Sequence, residues 1–225
     1  MVGLARGRRG GCGGETLPSD GEAAARIARI GREVIRRELT WGTSGNLSVR
    51  VTGGRFLISA SGARLDDLTE DHLTLCSIDG PEHEGPRPSV ETAMHRAVYT
   101  TVPDAMAILH ASAPYTTLLT CTRVTVPVHM NTDALSSVKR VVRVPYRPPG
   151  SIELAHEAAA RAPESRVLLL NNHGSLVWGS SAEEVLRRTE ALEFLAQLVV
   201  GARAARLRFA FLSARDRARF SYGHS

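Results

Sequence analysis

The chain has no apolar run of the roughly 18–20 residues that a membrane span requires. Its Gly/Arg-rich start, GLARGRRGGCGG, also lacks the apolar stretch of a secretory signal. Both absences favour a cytoplasmic setting and no membrane partner. Three cysteines, Cys12, Cys76 and Cys121, form no CxxC pair and leave one thiol over in any disulfide scheme. That suits a reducing compartment and argues against a cysteine-built zinc site. Lysine is nearly missing: of 28 basic residues only Lys139 is one, so chemistry through a lysine Schiff base has almost no candidate. Basic charge is also absent as a general property. The net +5 is carried entirely by Arg203, Arg206, Arg208, Arg215, Arg217 and Arg219 against Asp216. A basic stripe on a terminal helix and tail, with no accompanying motif, reads as a solvated face rather than a nucleic-acid surface.

What remains is ordinary globular material, 225 residues with 43% hydrophobic and 23% charged, enough for one domain with a substantial core. Residues 1–18 read as a disordered arm, 19–212 as the folded domain and 213–225 as a basic tail. Ile27, Ile30 and Val34 at helical spacing predict a helix over Asp20 to Leu39. Leu47, Val49 and Val51 alternate with polar residues, Gly53-Gly54 turns the chain, and Phe56 and Ile58 alternate again, predicting a hairpin. A third strand follows over Leu73 to Ile78. Further strands are expected at Ala105 to Leu109, Val124 to Val128, Val141 to Val144, Val167 to Leu170 and Leu176 to Trp178. Helices are expected from Ser89 to Thr101, Ala113 to Cys121 and Ile152 to Ala162, and from Ser181 toward Phe211. The early hairpin favours an α/β fold built on a mixed, largely antiparallel sheet with helices on both faces.

Three segments offer more polar groups than their turns need. Thr43-Ser44-Gly45-Asn46 and Ser59-Ala60-Ser61-Gly62 present hydroxyls, an amide and unencumbered backbone, the makings of an anion cradle. The third, Ser89-Val90-Glu91, stands at a predicted helix start, where a glutamate can serve the helix dipole alone. Among eight histidines, His110 and His173 each follow a buried apolar strand, the position of a metal ligand facing a cleft. His129, in a polar loop, could join them. His72, His83, His95, His156 and His224 receive no role.

Taken in order, TSGNLSVR, LISASG, PSVE, HRAVYTTVPDAMAILH and LLLNNHGSLVWGSSAEEVLRRTEALEFLAQ resemble the class II aldolase/adducin family over residues 20–205. The resemblance implies a nine-stranded mixed sheet and a fourfold tetramer with its site between subunits. It also implies a divalent metal, usually zinc, acting on a small phosphorylated ketose. On this likeness His110 and His173 are metal ligands, with Glu91 the acid/base and a third ligand in the empty site. Thr43, Ser44, Gly45, Asn46, Ser61, Gly62 and Ser89 bind the substrate's phosphate. A metal there replaces the Schiff-base lysine by stabilising the enediolate left when a C–C bond breaks. The chain departs from the family pattern at Ser112, where the family has a second histidine, at Val90, where the phosphate aldolases have serine, and at Asn131, where the fuculose-phosphate enzyme has tyrosine. Two imidazoles and one carboxylate suit Zn(II), Mn(II) or Fe(II). The reaction implied is C–C cleavage, or else decarboxylation, dehydration, epimerisation or oxygenation on a carbonyl substrate. A non-catalytic adducin-like scaffold is the reading from a different class.

Overall fold

The computed structural model describes residues 17–222. All but Leu17 and Pro18 of the arm expected over 1–18 lies outside the described residues.

The first helix, α1 (Asp20–Arg36), starts at a capping box in which Ser19 and Glu22 satisfy one another's backbone N–H groups. It ends three residues earlier than its apolar spacing suggests. Glu38 adopts a left-handed φ of 56°, and Leu39 N–H reaches back to the Val34 carbonyl, a turn that closes the helix. The hairpin forms as β1 (Asn46–Val51) and β2 (Arg55–Ser59), followed by β3 (Leu73–Ser77) and a short β4 (His83–Glu84) that the sequence did not signal. Next come α2 (Thr92–Thr101), β5 (Ala107–Ala111), α3 (Pro114–Thr120), β6 (Val142–Val144) and α4 (Ile152–Arg161). The chain then forms the β7 (Val167–Leu170) and β8 (Gly174–Gly179) hairpin, the long α5 (Ala182–Ala204) and α6 (Ala214–Tyr222).

The strands make one eight-stranded sheet among the described residues, in the order β4-β3-β2-β1-β5-β8-β7-β6, one strand fewer than the family likeness implies. Every pairing is antiparallel except β6 with β7. Central strands are buried on both sides because helices cover both faces. On one face Leu47, Val49, Leu109 and Val177 pack with the apolar sides of α1, α3 and α5. On the other, Ile58, Ile108 and Leu176 pack with Met94 and Val98 of α2 and Leu154 and Ala158 of α4. The mixed α/β architecture is therefore as the alternation pattern implies.

Two expected elements are corrected. No strand forms over Val124 to Val128. Pro127 has no N–H to give a ladder, and the Val124 carbonyl is taken by the Arg143 guanidinium, so the segment ends in a 3-10 turn at Val128–Met130. The last long helix stops at Ala204 rather than near Phe211, where Arg206 turns left-handed at φ 55°. Beyond it Phe211 packs against His129 with ring centroids 4.5 Å apart and the rings tilted at 58°. The basic tail contains helix α6 within its described part.

Candidate active site

Antiparallel pairing brings four chain segments to one end of the sheet: the start of β1, the exit of β2, the exit of β5 and the turn between β7 and β8. With the approach to α2 they enclose a cleft of about 400 Å³, within the range usual for small-molecule sites. The residues to which the likeness gives a phosphate, acid/base or metal role line it: Thr43, Ser44, Gly45 and Asn46 from the first loop, Ser61 and Gly62 from the second, Ser89 and Glu91 before α2, and His110 and His173. Ser112 lines it as well. His129 does not, being packed against Phe211, nor does Asn131, whose Oδ1 accepts the Ala134 N–H. No lysine or arginine is among the lining residues, so an anion here would meet neutral donors. The N–H groups of Ser44 and Ser61 are spent on the Trp41 and Arg87 carbonyls; these two residues therefore offer their hydroxyls.

Gly45 shows why the first loop needs its glycine. Its φ is +82°, and a Cβ there would stand 2.8 Å from the His110 carbonyl oxygen and 3.0 Å from Thr40 Oγ1. The loop thus runs against the backbone of the strand that carries His110. That histidine lies within β5 rather than beyond it, opposite Asn46. Its Nδ1 is 3.0 Å from the Ser175 carbonyl. A carbonyl only accepts, so Nδ1 must carry the proton, leaving the Nε2 lone pair free. His173 follows Asn172, which holds the tight β7–β8 turn at φ 55°. The two imidazoles meet edge to face, with centroids 4.7 Å apart. Burial, reinforced at His110 by the neighbouring His173, lowers the His110 pKa to about 3, and burial lowers that of His173 as well. Both rings are held neutral, the form that can ligate a metal.

Glu91 is the N-cap of α2 but makes no side-chain capping bond, so its carboxyl is not spent on the N–H groups of that helix. One oxygen accepts the Gly150 N–H at 3.1 Å and stands 3.8 Å from His173 Nε2. With His173 neutral this is a polar contact and not an ion pair. Burial pushes the Glu91 carboxyl up to about 7, against the partial opposing pull of the Gly150 N–H. A protonatable carboxyl near neutral pH is matched to proton transfer.

Asn46 Oδ1, Glu91 Oε2, His95 Nε2 and His173 Nδ1 are all buried without a hydrogen-bond partner. Buried polar atoms are ordinarily satisfied, and three of these four belong to cleft residues. Among the described residues no three His, Cys, Asp or Glu side chains already stand at the spacing of a finished metal site. The donor chemistry nonetheless fits a divalent cation: His110 and His173 are neutral imidazoles, His110 is oriented by a carbonyl behind it, and the Glu91 oxygen atom left unpaired is the one available to a ligand. Sequence reasoning passed over His95, which is fully buried beneath the cleft. Its place one helical turn after Glu91 was the available signal.

The family model for the class II aldolase and adducin N-terminal domain matches residues 25–200. The chain is 32% identical to the 3-oxo-tetronate 4-phosphate decarboxylase of Haemophilus influenzae over 187 residues, covering 81% of this chain and 89% of that protein. It is likewise 32% identical to the L-fuculose phosphate aldolase of Escherichia coli K12 over 166 residues, covering 74% and 77%. Among solved structures, YgbL from Klebsiella pneumoniae superposes with a TM-score of 0.82 at 31% identity, covering 92% of this chain and all of that one.

Proposed function

The chain belongs to the class II aldolase and adducin family, and we propose that it is a divalent-metal-dependent lyase cleaving a C–C bond in a small phosphorylated carbonyl substrate. The observation that carries this reading is the meeting of two imidazoles, His110 and His173, with ring centroids 4.7 Å apart, and the buried carboxyl of Glu91 in one cleft. His110 and His173 would hold the cation, with Glu91 as a third ligand in the absence of substrate. When bound, Zn(II), or Mn(II) or Fe(II) in its place, supplies Lewis-acid polarisation of the substrate carbonyl.

The chain's own residues do the rest. Thr43, Ser44, Gly45, Asn46, Ser61, Gly62 and Ser89 bind the phosphate through hydroxyl, amide and backbone donors. Gly150 N–H holds one Glu91 oxygen, leaving the other, Oε2, for proton transfer. C–C cleavage leaves an electron pair on the carbon that becomes an enediolate, and Glu91 in its acid form protonates that carbon. The same step serves retro-aldol cleavage, where the other fragment gives up its hydroxyl proton to solvent and leaves as an aldehyde, and decarboxylation, where the substrate carboxylate leaves as CO2. Decarboxylation is the favoured second reading, supported by the relatives named for it. A homotetramer is supported by large apolar side chains left exposed on the single chain, such as Trp41, Tyr146 and Phe194. The free thiols of Cys76 and Cys121 accord with a reducing, cytoplasmic setting.

Turnover of short phosphorylated ketoses and 3-oxo acid phosphates, by protein purified without chelator and by the same protein after chelation, tests the reading. Activity lost on chelation and restored by one divalent metal is expected. Equal turnover in both samples would overturn it, and neither metal nor turnover would leave the scaffold as the answer.

A further inference from the structure

Beneath the cleft lie three polar side chains that the proposed chemistry does not use. Ser48, His95 and Tyr99 are each buried to within 1% of complete. Ser48 Oγ is 2.7 Å from His95 Nδ1 and 2.8 Å from Tyr99 Oη. The direction of these bonds can be deduced. Burial raises the Tyr99 pKa and lowers that of His95, so the phenol keeps its proton and the imidazole is neutral. The Tyr99 hydroxyl is hydrogen-bonded to Ser48 Oγ, and an undonated buried O–H is costly, so Tyr99 donates to Ser48. Ser48 then has its own proton to donate to His95 Nδ1. That fixes His95 as the Nε2–H tautomer and makes its unpartnered Nε2 a buried donor without an acceptor.

The matching acceptor is on the same face of the sheet. Asn46 and Ser48 lie two residues apart on β1, so their side chains share a face, and their register partners His110 and Ile108 do the same on β5. Of the Asn46 amide, Oδ1 is the atom that is buried and unpartnered, while the residue itself lines the cleft. An unmatched donor on a ring bonded to Ser48 and an unmatched acceptor two residues along β1 from Ser48 thus lie on one face of the sheet.

We infer that His95 is a positioning residue: the relay from Tyr99 through Ser48 presents its Nε2–H to Asn46 Oδ1, directly after a small turn of the amide or through one bridging water, and so aims the two amide N–H donors into the cleft. The inference rests on the reading above in which Asn46 meets the substrate's phosphate. It adds the reason the amide faces one way: with Oδ1 held from behind, the amide offers the anion donors and never a carbonyl. In a cleft without a cationic side chain that orientation decides whether Asn46 attracts or repels an anion.

Two measurements on the full-length protein test it. Nitrogen-15 spectra of selectively labelled histidines, assigned through His95→Phe, are expected to show His95 protonated at Nε2, with that resonance moved by Asn46→Ala. A proton on Nδ1, or an Nε2 resonance blind to Asn46→Ala, would overturn the relay. Titration with inorganic phosphate supplies the functional arm. Asn46→Ala and His95→Phe should each weaken phosphate binding several-fold, and His95→Phe should cost nothing further in the Asn46→Ala background. Fully additive losses would mean that His95 acts on general stability instead, and would refute a role through Asn46. If the wild-type protein binds no phosphate, the phosphate reading fails while the tautomer result still decides the relay.

Discussion

Replacing Gly45 by alanine probes the contact on which the site geometry depends. At φ +82° the new residue would sit in the left-handed region, which costs a side-chain-bearing residue about 1–2 kcal/mol. Its Cβ would also lie 2.8 Å from the His110 carbonyl oxygen. That atom is backbone in a central strand and cannot swing aside, so overpacking adds about 1–3 kcal/mol. The expected loss is therefore about 2–5 kcal/mol. Gly62→Ala is the internal control, because Gly62 has φ +80° but nothing within 4 Å of its Cβ position. It should lose about 1–2 kcal/mol, the conformational part alone. Urea unfolding of both variants at one protein concentration, with unchanged dependence on urea, reads the difference. Zinc affinity should fall in Gly45→Ala and hold in Gly62→Ala, since only the first displaces the His110 strand. Equal destabilisation of the two variants would refute the claim that the loop is pressed against that strand.

Substituting both His110 and His173 by alanine should abolish stoichiometric divalent metal, measured by elemental analysis of protein purified without chelator; near-stoichiometric metal in the double variant would remove both from the ligand set. Ser112→His should raise metal affinity, and if Ser112 is an adaptation to the native substrate it should lower native turnover, so a variant improved in both would mark Ser112 as damage instead. Acid stability should depend on Glu184: burial raises its pKa, but hydrogen bonds from Ser180 and Arg188 outweigh that and hold it at about 2. Its folded pKa lies below its unfolded value, so it stabilises the fold above about pH 4.5 and that contribution is lost as pH falls toward 2. Glu184→Gln should flatten the stability profile across that window, and an unchanged slope in acid unfolding would contradict the assignment.

Much of this was legible in the sequence because periodicity and placement agree. The β1–β2 hairpin could be read from Leu47, Val49 and Val51 alternating with polar neighbours, and the mixed sheet followed from it. The cleft residues were legible one segment at a time, since Gly, Ser and Asn at strand ends are unusual in concert. That all of them converge required the antiparallel register, which sets Asn46 opposite His110. What stayed hidden depends on long-range partners. The segment at Val124 is apolar enough for a strand but loses its ladder to Pro127 and Arg143. The end of α5 is set by a left-handed turn at Arg206 that no glycine announces. His95 looks like any helical histidine until Ser48, forty-seven residues away, is found at its Nδ1.

The central claim is that Glu91 moves the proton in a metal-assisted C–C cleavage. Its most direct test is turnover and metal content measured on the same preparation of Glu91→Gln, using whichever phosphorylated substrate the wild-type protein cleaves. The account predicts unchanged fold, bound divalent metal retained through His110 and His173, and turnover lower by about 10²–10⁴-fold, because the amide cannot carry the proton. Wild-type turnover in that variant, with metal bound, would contradict it.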